Sequence, residues 1–369
     1  ILPNVNNDGF SARHRLLGGN DNETTYRLDG IELHQAFHFS NVQNLFSAIN
    51  ANIIDSSMVY VGELPISNSR RFSGLVDMSI LEPQTMNEGS VDINTLAASV
   101  NSQGITGNFS WVASGRKSLI GETLSLVQSK NNEPLDAPSF DDELIRLAWD
   151  NDNHQLVFGA IRANESIDIE RESTGERGQG NEFSSTWWLK SSSQPSDDVV
   201  MNWRLSRYYS RRHRSGNTEF GESEAGRLTD DSRTHSIDIN NDWQWISSEQ
   251  HSLNFGWSHQ KQTLATQLDS SVKYGALGRT IQGVNQRQLA INLAQSTRDS
   301  RLFIQSNYQV SNLMATQLGL SVNNQSFEGK NYNDWSANAT LNYRLTDNLS
   351  LSTNIGRYAQ FQQLNDISV

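Results

Sequence analysis

The chain has 369 residues, a formal net charge of −12 and no cysteine. The acidic balance argues against a nucleic-acid surface, and the missing thiols exclude disulfide staples and thiolate metal sites. No run of about 18 apolar residues offers a transmembrane helix, but this leaves a membrane β-barrel open, because alternating lipid-facing and lumen-facing residues average to the hydropathy of a soluble protein.

The N-terminal part, residues 17–78, reads as a small β-containing unit. Three short β-type runs, at 26–28, 58–61 and 75–78, are punctuated by Gly30, Gly62 and Gly74, where the chain must turn. One helical or irregular insert is expected near 45–53. Residues 1–4 have neither the basic nor the apolar region of a signal peptide.

From residue 85 onward the sequence becomes strand after strand, with no helical period. In 236–246, Ile237, Ile239, Trp243 and Trp245 share one face, and Ser236, Asp238, Asn240, Asp242 and Gln244 share the other. The device recurs with Ile145, Leu147 and Trp149 against Arg146, with Leu253, Phe255 and Trp257 against Asn254 and Ser258, and with Leu341, Tyr343 and Leu345 against Asn342 and Arg344. Alternation by itself also suits a sandwich. The connections discriminate better. Short ones at 106–108, 151–153, 194–197, 247–250 and 346–348 are interleaved with long polar stretches at 121–139, 171–180, 215–231 and 263–286. Tight turns at one end and long loops at the other characterise an outer-membrane barrel. The pattern gives roughly thirteen strands, each long enough to cross a bilayer at a tilt, for which about 9–11 residues suffice. Residues 287–311 must be one interrupted strand for this parity to hold, yet 296–300 read as a turn; both readings stay open.

The order of the N-terminal pieces is informative. Leu17-Gly18-Gly19, then Leu28-Asp29-Gly30, then Val59-Tyr60-Val61-Gly62, then Ser73-Gly74-Leu75-Val76-Asp77-Met78 resembles the plug domain of TonB-dependent outer-membrane receptors. Leu17 stands where that family usually has Arg, and Ser69-Arg70 where it usually has Tyr-Gly. The later stretches Phe109-Ser110-Trp111-Val112-Ala113-Ser114-Gly115-Arg116-Lys117-Ser118 and Gly356-Arg357-Tyr358-Ala359-Gln360-Phe361 resemble barrel strands of the same family. The resemblance implies a mainly β fold: a small α+β plug over residues 1–82 and a partial transmembrane antiparallel β-barrel over 83–369, joined at Glu82-Pro83. Transporters of this type close with about 22 strands around a plugged lumen. The chain is therefore expected to be a piece of a longer protein, without the segment that meets TonB and without the last barrel strand.

Several motifs carry competing readings. His34-Gln35-Ala36-Phe37-His38 has the i, i+4 histidines of a zinc helix, but Gln35 replaces the catalytic Glu and nothing marks the stretch as helical. Neither Asn20-Asp21-Asn22-Glu23 nor Asp141-Asp142-Glu143 has the spacing of a calcium loop. No metal and no cofactor is expected. Arg211-Arg212-His213-Arg214 is either a solvated loop base or a basic rim for lipopolysaccharide phosphates. No nucleophile constellation appears: His235 and Asp238 fall on opposite faces of a strand, so no catalysis is expected.

The resemblance implies import across the outer membrane of a Gram-negative cell, coupled to TonB, by a monomer that makes and breaks no bond in its substrate. The substrate would be gripped by the extracellular loops and the plug apex. Two Phe and two His within 32–41 suit a ligand lining better than a plain connection. His34, Gln35 and His38, with Phe37 beside them, are therefore expected to contact substrate; packing of Phe37 and Phe39 on the barrel wall is the plainer account. A passive or enzymatic barrel and a soluble carbohydrate-binding module are the rival readings.

Overall fold

The computed structural model describes residues 5–6, 11–19, 23–40, 44–61, 65–68, 74–127, 137–171, 175–220, 224–359, 361 and 364. The sequence motifs at 20–22, 62 and 69–73, with 41–42 and 360, lie outside them.

Thirteen antiparallel strands form one continuous meander, each paired with its neighbours in sequence. It starts at Glu88–Ile93 and ends at Leu349–Arg357, and these two strands are the free edges of an open sheet. The alternation predicts its faces. Ile145, Trp149, Ile237, Trp245 and Leu345 are exposed, while Arg146, Ser236 and Asp238 are buried. The apolar face looks outward and the polar face inward.

Aromatic residues gather on the outward face near the short turns. Trp203 and Trp257 meet edge to face with ring centroids 5.9 Å apart, and Trp243 stacks on Phe255 at 6.2 Å. Amphipathic rings at one level are the usual interfacial girdle of a membrane barrel. Asn241 interrupts the apolar row here, opposite Trp203 on one side and Trp257 on the other. It is 4% exposed, donates to the Asn202 carbonyl and accepts from the Trp243 indole N–H. Two satisfied bonds make a polar group tolerable at such a site.

The structure corrects the expected long loops. Residues 171–180, 215–231 and the first part of 263–286 belong mostly to strands: His154–Arg171, Glu176–Ser196, Val199–Phe220, Glu224–Ser248 and His251–Lys273. These hairpins run well beyond the apolar band. Their outward positions, such as Arg177, Asn217, Arg227 and Gln267, are polar, so the outward apolar row stops and composition alone reads them as loops. Ladder bonds hold them extended. Two short helices, Ile120–Val127 and Ala276–Gln282, also occupy this end, where no helix was expected. Gln286–Ser311 is a single strand. Its first half pairs only with His251–Lys273, and the next hairpin joins it from Thr297 onward. That hairpin turns at Glu328-Gly329, a tight connection at the end where long ones prevail.

A second, four-stranded sheet contains Ile31–Glu32, Thr24–Leu28, Gly74–Ile80 and Ile54–Val61, in that spatial order. Thr24–Leu28 and Gly74–Ile80 run parallel; the other pairs are antiparallel. The expected insert is a two-residue bridge and the turn Ala51–Ile53. Asp29 and Gly30 sit at φ +51° and +79°, the two-residue hairpin turn for which Asp-Gly is suited. Gly74 is required for space: a Cβ there would lie 2.3 Å from Leu16 and 2.7 Å from the Tyr60 carbonyl. The small sheet rests on the inward face of the large one. Tyr26, Leu28, Ile31, Phe37, Ile53 and Ile80 share an apolar core with Val112, Leu144, Ile161 and Trp188 of the wall.

Candidate functional site

The seam between the small sheet and the wall carries most of the molecule's buried polar chemistry. Asp29 is central to it. Its backbone N–H donates to the Met78 carbonyl, Oδ1 accepts from the Ile80 N–H at 3.0 Å, and Oδ2 accepts from Arg146 Nε at 3.0 Å. Both side chains are almost fully buried, so the charges need each other. Arg146 was visible in the sequence as a cation within an apolar alternation; its partner, 117 residues away, was not.

Toward the end with the long hairpins, His38 enters a second cluster. It is 1% exposed and stacks on Phe140 at 4.4 Å. Its Nε2 lies 3.1 Å from Asp142 Oδ2, and its Nδ1 3.4 Å from Glu165 Oε2. The Phe39 N–H donates to the same Glu165 oxygen, and Arg116 forks onto Asp142. Burial alone lowers the His38 pKa; the bonds and charges of Asp142 and Glu165 outweigh it, and the net direction is upward.

The expected site residues are therefore not one exposed surface. Phe37 packs edge to face on Tyr26 in the shared core, and His38 is sandwiched against the wall. His34 stacks on Tyr208 at 4.7 Å, with Nε2 3.8 Å from Asp238. Gln35 is partly covered, and its buried Oε1 has no hydrogen-bond partner. His34 and His38 use different wall strands and share no helix face. Asp142 points inward while Asp141 and Glu143 pair with the outward residues Asn164 and Arg162. Neither set converges, and among the described residues no group of three His, Asp or Glu could hold a metal.

Wall residues also form the inward lining above the small sheet. The expected rim of four basic residues divides by strand parity. Arg212 and Arg214 face inward, where both approach the buried Asp230. Arg211 and His213 face outward toward Asp231. On the other side of the small sheet, a cavity of about 730 Å³ is lined by Arg27, Asp29, Asp77, Arg146, Lys190 and Arg204, among others.

With this geometry in hand, the comparisons are decisive at the level of family. The family model "TonB dependent receptor-like, beta-barrel" matches residues 95–369. The chain belongs to the TonB-dependent receptor family. The receptor's fold is also found in solved structures. The FrpB iron transporter from Neisseria meningitidis aligns with a TM-score of 0.67 at 12% identity, over 96% of this chain and 60% of that one. The siderophore receptor PirA from Acinetobacter baumannii gives 0.60 at 14% identity, over 98% and 58%. The ferric citrate transporter FecA gives 0.60 at 13% identity, over 97% and 58%. At such identities the likeness is one of fold. The receptor spans about three-fifths of the length of these relatives. No curated protein matches the sequence. The family is one of outer-membrane transporters rather than enzymes, so the receptor is an outer-membrane protein and the outward apolar face is its lipid face.

Proposed function

We propose that the receptor imports a scarce substrate across the outer membrane in a TonB-coupled manner, with residues 1–82 acting as the plug and 83–369 as part of the barrel. The observation that carries this is the seating of the small sheet. Among the described residues its apolar contacts with the wall are separate patches: one at Val112, Leu144, Ile161 and Trp188, a smaller one where Phe39 and Phe46 meet Phe140, and buried Ile66 beside Gly319. Between them the seam is polar, as in Asn50 to Ser114, Arg301 to the Ser67 carbonyl, and His34 to Asp238. Polar contacts can be exchanged for water when the plug is pulled, without stripping the wall of its own ladder.

The substrate is met from the end with the long hairpins, by the inward faces of the wall strands and by His34, Gln35, Phe37 and His38. In this packing Phe37, His38 and the His34 imidazole are all covered, so contact at those three needs a shift of the 34–40 segment away from Tyr208 and Phe140. Ferric chelates are the first class to test, because the structural relatives named above are iron, siderophore and ferric citrate proteins. TonB and the outer-membrane lipid, with lipopolysaccharide phosphates at Arg211 and His213, are the proposed partners, and the receptor acts as a monomer.

The test is uptake of radiolabelled ferric chelates by cells carrying the full-length receptor, with and without TonB. Energy-dependent accumulation that disappears without TonB is expected. Equal accumulation in both strains refutes the coupled reading. In the same assay, the joint change of His34 and His38 to Ala should weaken substrate binding while the barrel still folds; unchanged affinity returns 34–38 to a structural role.

A further inference from the structure

The register of the large sheet places three cations in one outward row that the sequence does not reveal. Arg207 pairs with Ile237, Ile237 with Lys261, and Lys261 with Arg298. These residues come from four consecutive strands, Val199–Phe220, Glu224–Ser248, His251–Lys273 and Gln286–Ser311. All three cations are exposed. Their strands' other faces are settled inward by buried Ser206, Asp238, Gln260, Gln262 and Thr297.

Lys261 and Arg298 oppose each other directly. Like charges in that position destabilise a sheet unless something between them is negative. No ion pair is formed by Arg207, Lys261 or Arg298 among the described residues, and the outward neighbours two positions away on each strand are Leu205, Tyr209, His235, Ile239, His259, Thr263, Ser296 and Ser300. None is a carboxylate. A second opposed pair, Arg211 and Arg233, lies four residues further from the membrane on the outward face, and shares the single carboxylate of Asp231. In a chain of net charge −12, this concentration of positive charge on the lipid-facing side is not a matter of composition.

Height identifies the occupant. The row lies eight residues along the strands from Trp245, the girdle ring nearest the short turns, and four from the Trp203 and Trp257 pair. At about 3.3 Å per residue and a tilt of roughly 40°, the separation from Trp245 is about 20 Å, near the upper edge of an apolar band about 25 Å tall. Side chains of this length reach a little further, to the level where lipid headgroups begin. Apolar Ile239, Leu302 and Ile304 lie below the row, so the surface offers cations above and greasy contact beneath.

We propose that Arg207, Lys261 and Arg298 form a binding site for the phosphates of an anionic glycolipid in the outer leaflet, with Arg211 and Arg233 extending it outward. The site rests on the outer-membrane placement of the receptor, and it is separate from the substrate path, which lies on the other face of the same strands. Guanidinium forks grip phosphate oxygens in pairs, Lys261 adds a point charge, and the acyl chains lie along the apolar band.

The test uses the full-length receptor in detergent, titrated with bisphosphorylated lipid A, with its dephosphorylated form, and with inorganic phosphate. The variant combines Arg207→Gln, Lys261→Gln and Arg298→Gln; a second exchanges Lys261→Arg and Arg298→Lys, keeping the charge. Binding of bisphosphorylated lipid A should exceed that of the dephosphorylated form, fall at least tenfold in the Gln variant, and survive in the charge-keeping one. Lipid A should raise the melting temperature of the parent and not of the Gln variant. Inorganic phosphate binding as tightly as the lipid would make this a free-anion site and overturn the lipid proposal. Equal lipid affinity in parent and Gln variant would refute the site itself. A receptor soluble without detergent would instead refute the membrane placement, a separate failure from either.

Discussion

Asp29 and Arg146 tie the small sheet to the wall through one bond of 3.0 Å in which both partners are about 5% exposed on the side chain. Removing one partner of such a buried pair leaves the other charge stranded, at a cost of about 3–5 kcal/mol. Asp29→Asn is the informative change, because Asn tolerates φ > 0 and keeps the acceptor for the Ile80 N–H. The variant should leave the barrel's melting unchanged and raise hydrogen exchange in Thr24–Leu28 and Gly74–Ile80. Adding Arg146→Met should recover part of the loss. Unchanged exchange in the single variant would mean that the pair does not hold the small sheet.

A second prediction concerns depth on the lipid face. Ile239 lies six residues from Trp245, about 15 Å up by the same rise and tilt, close to the middle of the band. Ile239→Arg should cost roughly 2–4 kcal/mol in folding titrations into lipid, whereas Asn331→Arg, at the far end of its strand, should cost about 0–1 kcal/mol. Equal costs would contradict the placement of the band.

Local patterns were legible in the sequence, and distant partners were not. The apolar rows at 145–149 and 237–245 and the Asp29-Gly30 turn depend on residues near each other in the chain; whether 287–311 was one strand or turned at 296–300 stayed open, and its pairing with His251–Lys273 decides for one strand. The hairpins at 171–180 and 215–231 failed because, beyond the membrane, the outward row is polar and alternation carries no signal. The site was half legible for the same reason. The aromatic and polar density of 34–39 was visible, but the partners that bury His38 stand on strands more than a hundred residues later. The basic rim was visible as composition, yet only register shows that Arg212 and Arg214 both turn inward to Asp230 while Arg211 and Arg233 face out.

His38 predicts a pH dependence of fixed sign. Its folded pKa is raised above its unfolded value of about 6.5. The stabilisation from Asp142 and Glu165 is thus fully present below about pH 6.5 and is lost as pH rises through the folded value. Protection of the Phe39 amide, corrected for the intrinsic exchange rate, should fall as the solution is taken from mildly acidic to mildly alkaline. His38→Gln should flatten that dependence. A parent profile independent of pH would show that the imidazole stays neutral in the seam.

The last prediction uses a glycine to measure the apolar half of the seam. Trp188 is fully buried on the inward face, directly opposite Gly159 on the neighbouring strand, and packs with Val112, Leu144 and Ile161 under the small sheet. A Cβ on Gly159 would lie 2.1 Å from the indole ring, which is backed by that core and not by a flexible side chain. The ring has to move as a body toward Tyr26, Phe37 and Ile80, because the wall ladder behind it is fixed by its pairing. Overpacking of this kind costs about 1–3 kcal/mol. Gly159→Ala should therefore shift Trp188 fluorescence and loosen the small sheet, seen as faster proteolysis within 24–80, while the strands themselves remain paired. Combining it with Trp188→Phe, which frees space at the same point, should restore resistance. If Gly159→Ala is silent, the indole has room, and the apolar contact is weaker than the burial of Trp188 requires.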